Sequence, residues 1–260
     1  MNFKEFDKAN RKFEDWGNQP IPPENYIIVR LDGRGFSRLT KEICPFVRPF
    51  DSDFRDLMVD TTEYIYATSG FHIAYAYTMS DEISILLELN DDTFNRRPKK
   101  ITTTLASTAS AYFSLKLNQL LKTTGLVAVF DATLDIRPNA DRVADYFRWR
   151  QEDSARNCIN GYAYWTLRDQ DKLSARKASS IIDSEGNSFK NELLFKHGIN
   201  FDKVDTWKKR GVALYRVEVD HYGTNPLTGE RVLSKRKVIE KNYELPMKDE
   251  YIEYVRQFII

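Results

Sequence analysis

The strongest constraint on this chain is the way its apolar periodicity switches between residues 26 and 131. Tyr26-Ile-Ile-Val-Arg-Leu31 is a compact run of β-formers and reads as a buried strand, which stops abruptly at Asp32-Gly33-Arg34-Gly35. Phe54, Leu57, Met58, Thr61 and Ile65 then share one helical face, predicting a helix over 52–68 with Ser52 as its N-cap. Phe71 to Tyr77 alternates aromatic and small residues, and Ile83 to Leu89 is a second β-rich run. Thr78-Met79-Ser80-Asp81 lies between them as the turn of a hairpin. A long helix is expected from Lys99 to Leu121, between Pro98 and Gly125, and Leu126 to Phe130 reads as a fourth strand followed by Asp131. Strand, helix, strand, strand, helix, strand is the split βαβ or ferredoxin-like order. It predicts an α+β fold whose antiparallel sheet carries helices on one face, within a first domain spanning 1–137 that opens with an amphipathic helix over Met1–Trp16.

After Pro138 a helical stretch is expected from Asn139 to about Arg168, and a shorter helix from Lys190 to His197. Ala213–Val219 and Arg231–Ile239 read as a second hairpin across the turn-rich Gly223-Thr-Asn-Pro-Leu-Thr-Gly229. No internal repeat or low-complexity linker separates the halves, so residues 138–260 are expected to pack against the first domain. Apolar residues make up 42% and charged residues 30%, a soluble globular balance. No apolar run has the length of a membrane span, and Met1–Trp16 lacks the apolar core of a signal peptide. Two cysteines, Cys44 and Cys158, allow one disulfide but better fit small buried thiols in a cytoplasmic protein, and with His72, His197 and His221 scattered no Cys/His cluster suggests zinc. A net charge of +1 gives no global nucleic-acid signal, but residues 203–241 hold ten Lys/Arg against five Asp/Glu. Within them, Lys208-Lys209-Arg210 and Lys235-Arg236-Lys237 read either as phosphate-binding clusters or as solvated faces.

The chemistry is expected at Asp32 and Asp81. In a split βαβ sheet the first strand lies beside the strand that follows the hairpin turn, so these two carboxylates can meet at one edge. Paired carboxylates repel unless a cation neutralises them. Mg²⁺ suits the position, because it takes hard oxygen ligands and shares its remaining positions with water and substrate phosphates. Two such ions can activate a hydroxyl and stabilise a leaving oxygen in phosphoryl transfer. Gly33 permits close backbone approach, which makes its carbonyl a further ligand candidate. A carboxylate on the first strand and another on the hairpin is the layout of polymerase and cyclase palm domains, an analogy of fold.

Arg30-Leu-Asp-Gly-Arg-Gly-Phe-Ser-Arg38, Ser80-Asp-Glu-Ile-Ser84, Arg96-Arg97, Trp149-Arg-Gln-Glu-Asp153 and Lys190-Asn-Glu-Leu-Leu-Phe195 occur in that order. Together they resemble the tRNA(His) guanylyltransferase superfamily of 3′-to-5′ polymerases, from the N-terminal helix to at least Phe195. The resemblance implies a palm-like catalytic domain with two Mg²⁺ ions at Asp32, the Gly33 carbonyl and Asp81, and with Glu82 as a further catalytic acid. It implies ATP and GTP as substrates and the 5′ end and acceptor stem of a tRNA as acceptor. Nucleotide contacts are expected from Arg30, Asp32, Gly33, Arg34, Gly35, Phe36, Ser37, Ser80 and Asp81. Arg96, Arg97 and Lys100 are expected on triphosphate oxygens, since guanidinium forks suit phosphate. Lys190 and Asn191 match a segment near the triphosphate, or cap a helix. Arg48 aligns near a lysine of the activation step; it keeps the charge but is no nucleophile, so its expected role is to position phosphate. Arg150 and Gln151, with the two basic clusters, are the expected tRNA contacts. Trp149 and Tyr164 read as base-stacking or core residues. The family also implies a homotetramer.

Besides Arg48, the chain departs from the family pattern in two places. Ser37 stands where many members have His, and Asn157-Cys-Ile-Asn-Gly-Tyr-Ala163 stands where eukaryotic members carry a His-Ile-Asn-Asn-Leu-Tyr-Asn motif. Both point to the bacterial and archaeal "like" branch, whose members repair truncated tRNA 5′ ends by templated addition. The alternatives are a tRNA(His)-specific guanylyltransferase, a nucleotide cyclase on the same palm, and a non-catalytic RNA-binding protein.

Overall fold

In the computed structural model, which describes residues 17–224 and 229–259 together with 4, 5, 7 and 8, the run from Tyr26 becomes strand β1 (Tyr26–Arg34). The helix expected over Met1–Trp16 lies almost wholly outside the described residues, as do 225–228 of the expected second turn. The hairpin forms β2 (Ile73–Met79) and β3 (Glu82–Leu87). Strands β4 (Val129–Arg137), β5 (Val212–Thr224) and β6 (Arg231–Asn242) complete one antiparallel sheet in the order β4-β1-β3-β2-β5-β6. The first four strands have the ferredoxin-like arrangement. Register sets Asp32 opposite Glu82 on one side and opposite Asp131 on the other.

The two helices of the βαβ units, α1 (Ser52–Thr68) and α2 (Pro98–Leu120), cover one face. Their Leu57, Met58, Ile65, Leu105 and Phe113 pack with Val29, Leu31, Ile83 and Ile85 of the sheet. The opposite face is covered by α3 (Ala140–Asp169) and α7 (Lys248–Arg256), where Ile28, Tyr75, Tyr77 and Leu86 meet Val143, Phe147 and Tyr251. Burial on both faces explains why Tyr26–Leu31 is a nearly unbroken apolar run rather than an alternating one. The short helices α4 (Ala175–Ser184), α5 (Asn187–Lys196) and α6 (Thr206–Arg210) link α3 to β5.

Three local expectations are corrected. The N-cap of α1 is Asp51, not Ser52: the Asp51 carboxylate accepts from the backbone N–H groups of Asp53 and Phe54. Strand β4 begins at Val129 rather than Leu126, because side chains of α2 capture the intervening backbone: Asn118 Oδ1 accepts from Leu126 N–H and Ser114 Oγ from Ala128 N–H. Helices α4 and α7 were not expected, although both are short and amphipathic. Only the first rows of β5 pair with β2, through Val212, Ala213 and Leu214; beyond them β5 and β6 run on as a two-stranded arm exposing Tyr222, Val232 and Leu233.

Candidate active site

The end of β1 and the β2–β3 turn are joined by one backbone hydrogen bond: Gly33 N–H donates to the Asp81 carbonyl at 3.0 Å. The turn is tight, since Met79 and Glu82 are paired and only Ser80 and Asp81 lie between them. Ser80 adopts φ 53°, a left-handed conformation uncommon outside glycine, and its hydroxyl donates to Asp81 Oδ1 at 3.0 Å. In an extended strand a residue's N–H and C=O point the same way, so the Gly33 carbonyl also faces the Asp81 turn. Burial pushes the Asp81 carboxyl above its ordinary range; the Ser80 hydroxyl pulls it back, and the neighbouring Asp32 charge pushes it up further.

Glu82 points from the same face of the sheet as Asp32 but is already engaged. Arg150 of α3 clamps both its oxygens, Nε to Oε1 at 2.8 Å and Nη2 to Oε2 at 2.6 Å. Arg30 Nε stands 3.7 Å from Oε2, and Ser84 Oγ donates to Oε1 at 3.3 Å. Burial raises the Glu82 carboxyl against the opposing pull of Arg150 and Arg30.

Two pockets meet at Asp81. The smaller, about 210 Å³, has aromatic walls that include Trp165 and Trp207, and polar groups from Ser37, Lys41, Arg48 and Ser80. The Arg48 guanidinium lies 4.3 Å over the Trp165 ring. The larger, about 740 Å³, runs past Asp32, Asp81 and Glu82 to Asp153, Asn157 and Asp183. Among the described residues no three His, Cys, Asp or Glu side chains form a metal cage. Two carboxylates and a carbonyl, with the remaining positions left to water and phosphate, nevertheless fit Mg²⁺.

The structure therefore brings Asp32, Gly33, Ser37, Arg48, Ser80, Asp81 and Glu82 to one end of the sheet. Arg30, which needs a partner in its apolar strand, finds a carboxylate neighbour in Glu82, although among the described residues its Nε has no hydrogen-bond partner. Arg34 and Gly35 are exposed where β1 ends, while Phe36 is buried against Phe54, Phe113 and Phe130, so its side chain is a core group.

Other expected residues lie elsewhere. Arg96 is 6% exposed, and its guanidinium donates to the carbonyls of Ile21, Pro22, Asn25, Leu89 and Asp91, leaving nothing for a triphosphate. Asn25 precedes β1, so Arg96 sits roughly 20 Å from Asp32 at the strand's rise per residue. Arg97 and Lys100 are exposed close to it in sequence, and neither lines the two pockets. Lys190 is buried and donates to Asn160 Oδ1 at 2.8 Å, behind the wall of the larger pocket, while Asn191 is exposed on α5. Gln151 is buried and donates to the Pro246 carbonyl, so it is not a tRNA contact, and Arg150 is committed to Glu82. Lys208 pairs with Asp205 at 2.8 Å, Lys209 donates to the Asp202 carbonyl and Arg210 to that of Leu245, so this cluster mostly staples its own surroundings. Lys235, Arg236 and Lys237 stand exposed on the arm, where Lys235 pairs with Glu218 at 3.5 Å. Sequence reasoning missed Lys41, Trp165 and Asp183 at the pockets; no motif marks them. Asp153 was within reach, since it closes the Trp149–Asp153 segment.

Family models match in order: tRNAHis guanylyltransferase over residues 7–138 and the Thg1 C terminal domain over 141–255. The tRNA(His) guanylyltransferase of Debaryomyces hansenii is 32% identical over 199 residues, covering 75% of this chain and 74% of that protein. A bacterial tRNA(His) guanylyltransferase-like protein solved with ATP superposes with a TM-score of 0.74 at 25% identity, covering 98% of this chain and 99% of the other. Such a protein solved with GTP gives 0.69 at 26% identity, covering 98% of each chain. With both models matching over nearly all of its length, the chain belongs to the tRNAHis guanylyltransferase family.

Proposed function

We propose that this protein is a metal-dependent nucleotidyltransferase that adds nucleotides to the 5′ end of tRNA in the 3′-to-5′ direction, chiefly to repair 5′-truncated tRNA by templated addition. The observation that carries the reading is the meeting of Asp32 and Asp81 where two pockets join. One pocket suits an activating nucleotide and the other has room for the acceptor end and an incoming nucleotide. ATP and GTP complexes of structural relatives support nucleoside triphosphates as the substrates.

The reaction has two stages. The tRNA 5′-monophosphate oxygen attacks the α-phosphorus of a nucleoside triphosphate and expels pyrophosphate; the 3′-hydroxyl of the incoming nucleotide then attacks the activated 5′ phosphorus and expels the nucleoside monophosphate. Both are displacements at phosphorus, which one site can serve. Asp32, Asp81 and the Gly33 carbonyl would hold Mg²⁺, which would supply charge neutralisation and hydroxyl activation. Arg48, fixed over Trp165, and Ser37 orient phosphate oxygens from the smaller pocket. A homotetramer, implied by the family, is checked by light scattering.

The test is a 5′-addition assay with 5′-monophosphorylated tRNA lacking its first nucleotide, Mg²⁺, ATP and labelled GTP. Template-matched extension by the wild type and none by Asp81→Ala is expected. Equal activity on full-length tRNA(His) at a non-pairing position would overturn the repair assignment. Release of a cyclic nucleotide without tRNA would favour a cyclase.

A further inference from the structure

Arg150 belongs to the segment matched by the C-terminal family model, and Glu82 to that matched by the N-terminal one. Their two hydrogen bonds, at 2.8 and 2.6 Å, tie α3 to the first residue of β3. Both side chains are nearly buried, at 14% and 13% exposed. The guanidinium is held from behind as well. Trp149 lies 4.7 Å beneath it, and Asp153 Oδ2 accepts from Nη2 at 3.4 Å. Asp153 is itself held by Arg156 and Asn157. The helical turn is pinned too: Ser154 Oγ donates to the Arg150 carbonyl and accepts from the buried Tyr77 hydroxyl.

The clamp acts on a carboxylate that would otherwise join the site. Glu82 is directly opposite Asp32, and side chains at such positions share a face with Cβ atoms about 5 Å apart. A cation on Asp32 is therefore within reach of a released Glu82. Yet no three acidic side chains converge among the described residues.

We propose that Arg150 is a positioning residue that withholds Glu82 from the cation site, leaving the ions to Asp32, Asp81 and the Gly33 carbonyl. The consequence is a site of limited charge, able to exchange its cations between the two displacements. A third carboxylate would bind divalent ions more tightly, since affinity follows ligand charge count. This inference rests on the cation reading of Asp32 and Asp81.

The experiment measures Mn²⁺ affinity by electron paramagnetic resonance on the full chain, without nucleotide or tRNA. Wild type is compared with Arg150→Gln, Arg150→Lys, Arg150→Gln with Glu82→Gln, and Asp81→Asn. Roughly ten-fold tighter binding is expected in Arg150→Gln, and a return toward the wild-type value in the double variant. Arg150→Lys keeps the charge but loses the two-pronged fork, so it too binds several-fold tighter; it decides the matter if Arg150→Gln does not fold. Unchanged affinity in Arg150→Lys overturns the clamp, leaving at most a charge effect. Wild-type binding that Asp81→Asn does not weaken overturns the cation reading and the proposal with it.

Discussion

The ring of Phe36 lies against Gly33, so close that a Cβ on Gly33 would stand 2.5 Å from the ring. The ring cannot retreat, being wedged among Phe54, Phe113 and Phe130. The glycine is thus required by packing as well as by the proposed role of its carbonyl. Gly33→Ala is expected to cost about 1–3 kcal/mol through overpacking. Calorimetry should show a melting temperature lower by several degrees, with 5′-addition activity reduced beyond the loss of folded protein.

Asp81 links the site to pH. Its folded-state pKa is raised above the usual value near 3.8, first by burial and then by the Asp32 charge. The folded state therefore holds this proton more tightly than the unfolded chain. The resulting stability is complete below the usual carboxylate range and is lost as pH rises through the raised value. In EDTA, Asp81→Asn is expected to melt above wild type at pH 7, with the gap closing toward pH 4. Added Mg²⁺ should raise the melting temperature of the wild type alone. A variant that melts no higher than wild type at pH 7 would contradict the cost of the buried Asp81 charge.

Arg96 is expected to act on stability and not on nucleotide binding. Arg96→Leu strands several carbonyls at the start of β1, at a cost of at least about 3 kcal/mol. Urea unfolding should show this as a lower midpoint. The KM for ATP of the folded fraction should not move, since a triphosphate contact would raise it.

The two basic clusters should separate under salt. Lys235→Gln with Arg236→Gln and Lys237→Gln is expected to lower the slope of log affinity for tRNA against log salt by about two units. The same change at Lys208, Lys209 and Arg210 should leave the slope in place and lower the melting temperature, because those side chains hold Asp205 and backbone carbonyls.

Much of the architecture was legible because two periodicities carry it. The helix over 52–68 has the expected bounds, and the six-element order dictates that β1 lies beside β3. From that adjacency the convergence of Asp32 and Asp81 follows without any knowledge of side-chain contacts. What was not legible depends on partners distant in sequence. Leu126–Ala128 has strand composition, but Asn118 and Ser114 claim its N–H groups. Arg96 reads the same whether it faces a phosphate or a ring of carbonyls; only the fold shows it bonded to Ile21, 75 residues away in sequence. Arg150 and Gln151 are neighbours in a polar helix, and nothing local says that one clamps Glu82 while the other is buried against Pro246.

The central place of β1 has a consequence for biosynthesis. It is made first, but its partners in β3 follow about fifty residues later and those in β4 about a hundred. At roughly 5–20 residues per second, the apolar run Ile27–Leu31 waits several seconds on the ribosome before either flank can be covered. The nascent chain thus carries this apolar segment uncovered for that time, and substitutions that delay docking of β3 should lower the yield of soluble protein before they affect the finished enzyme.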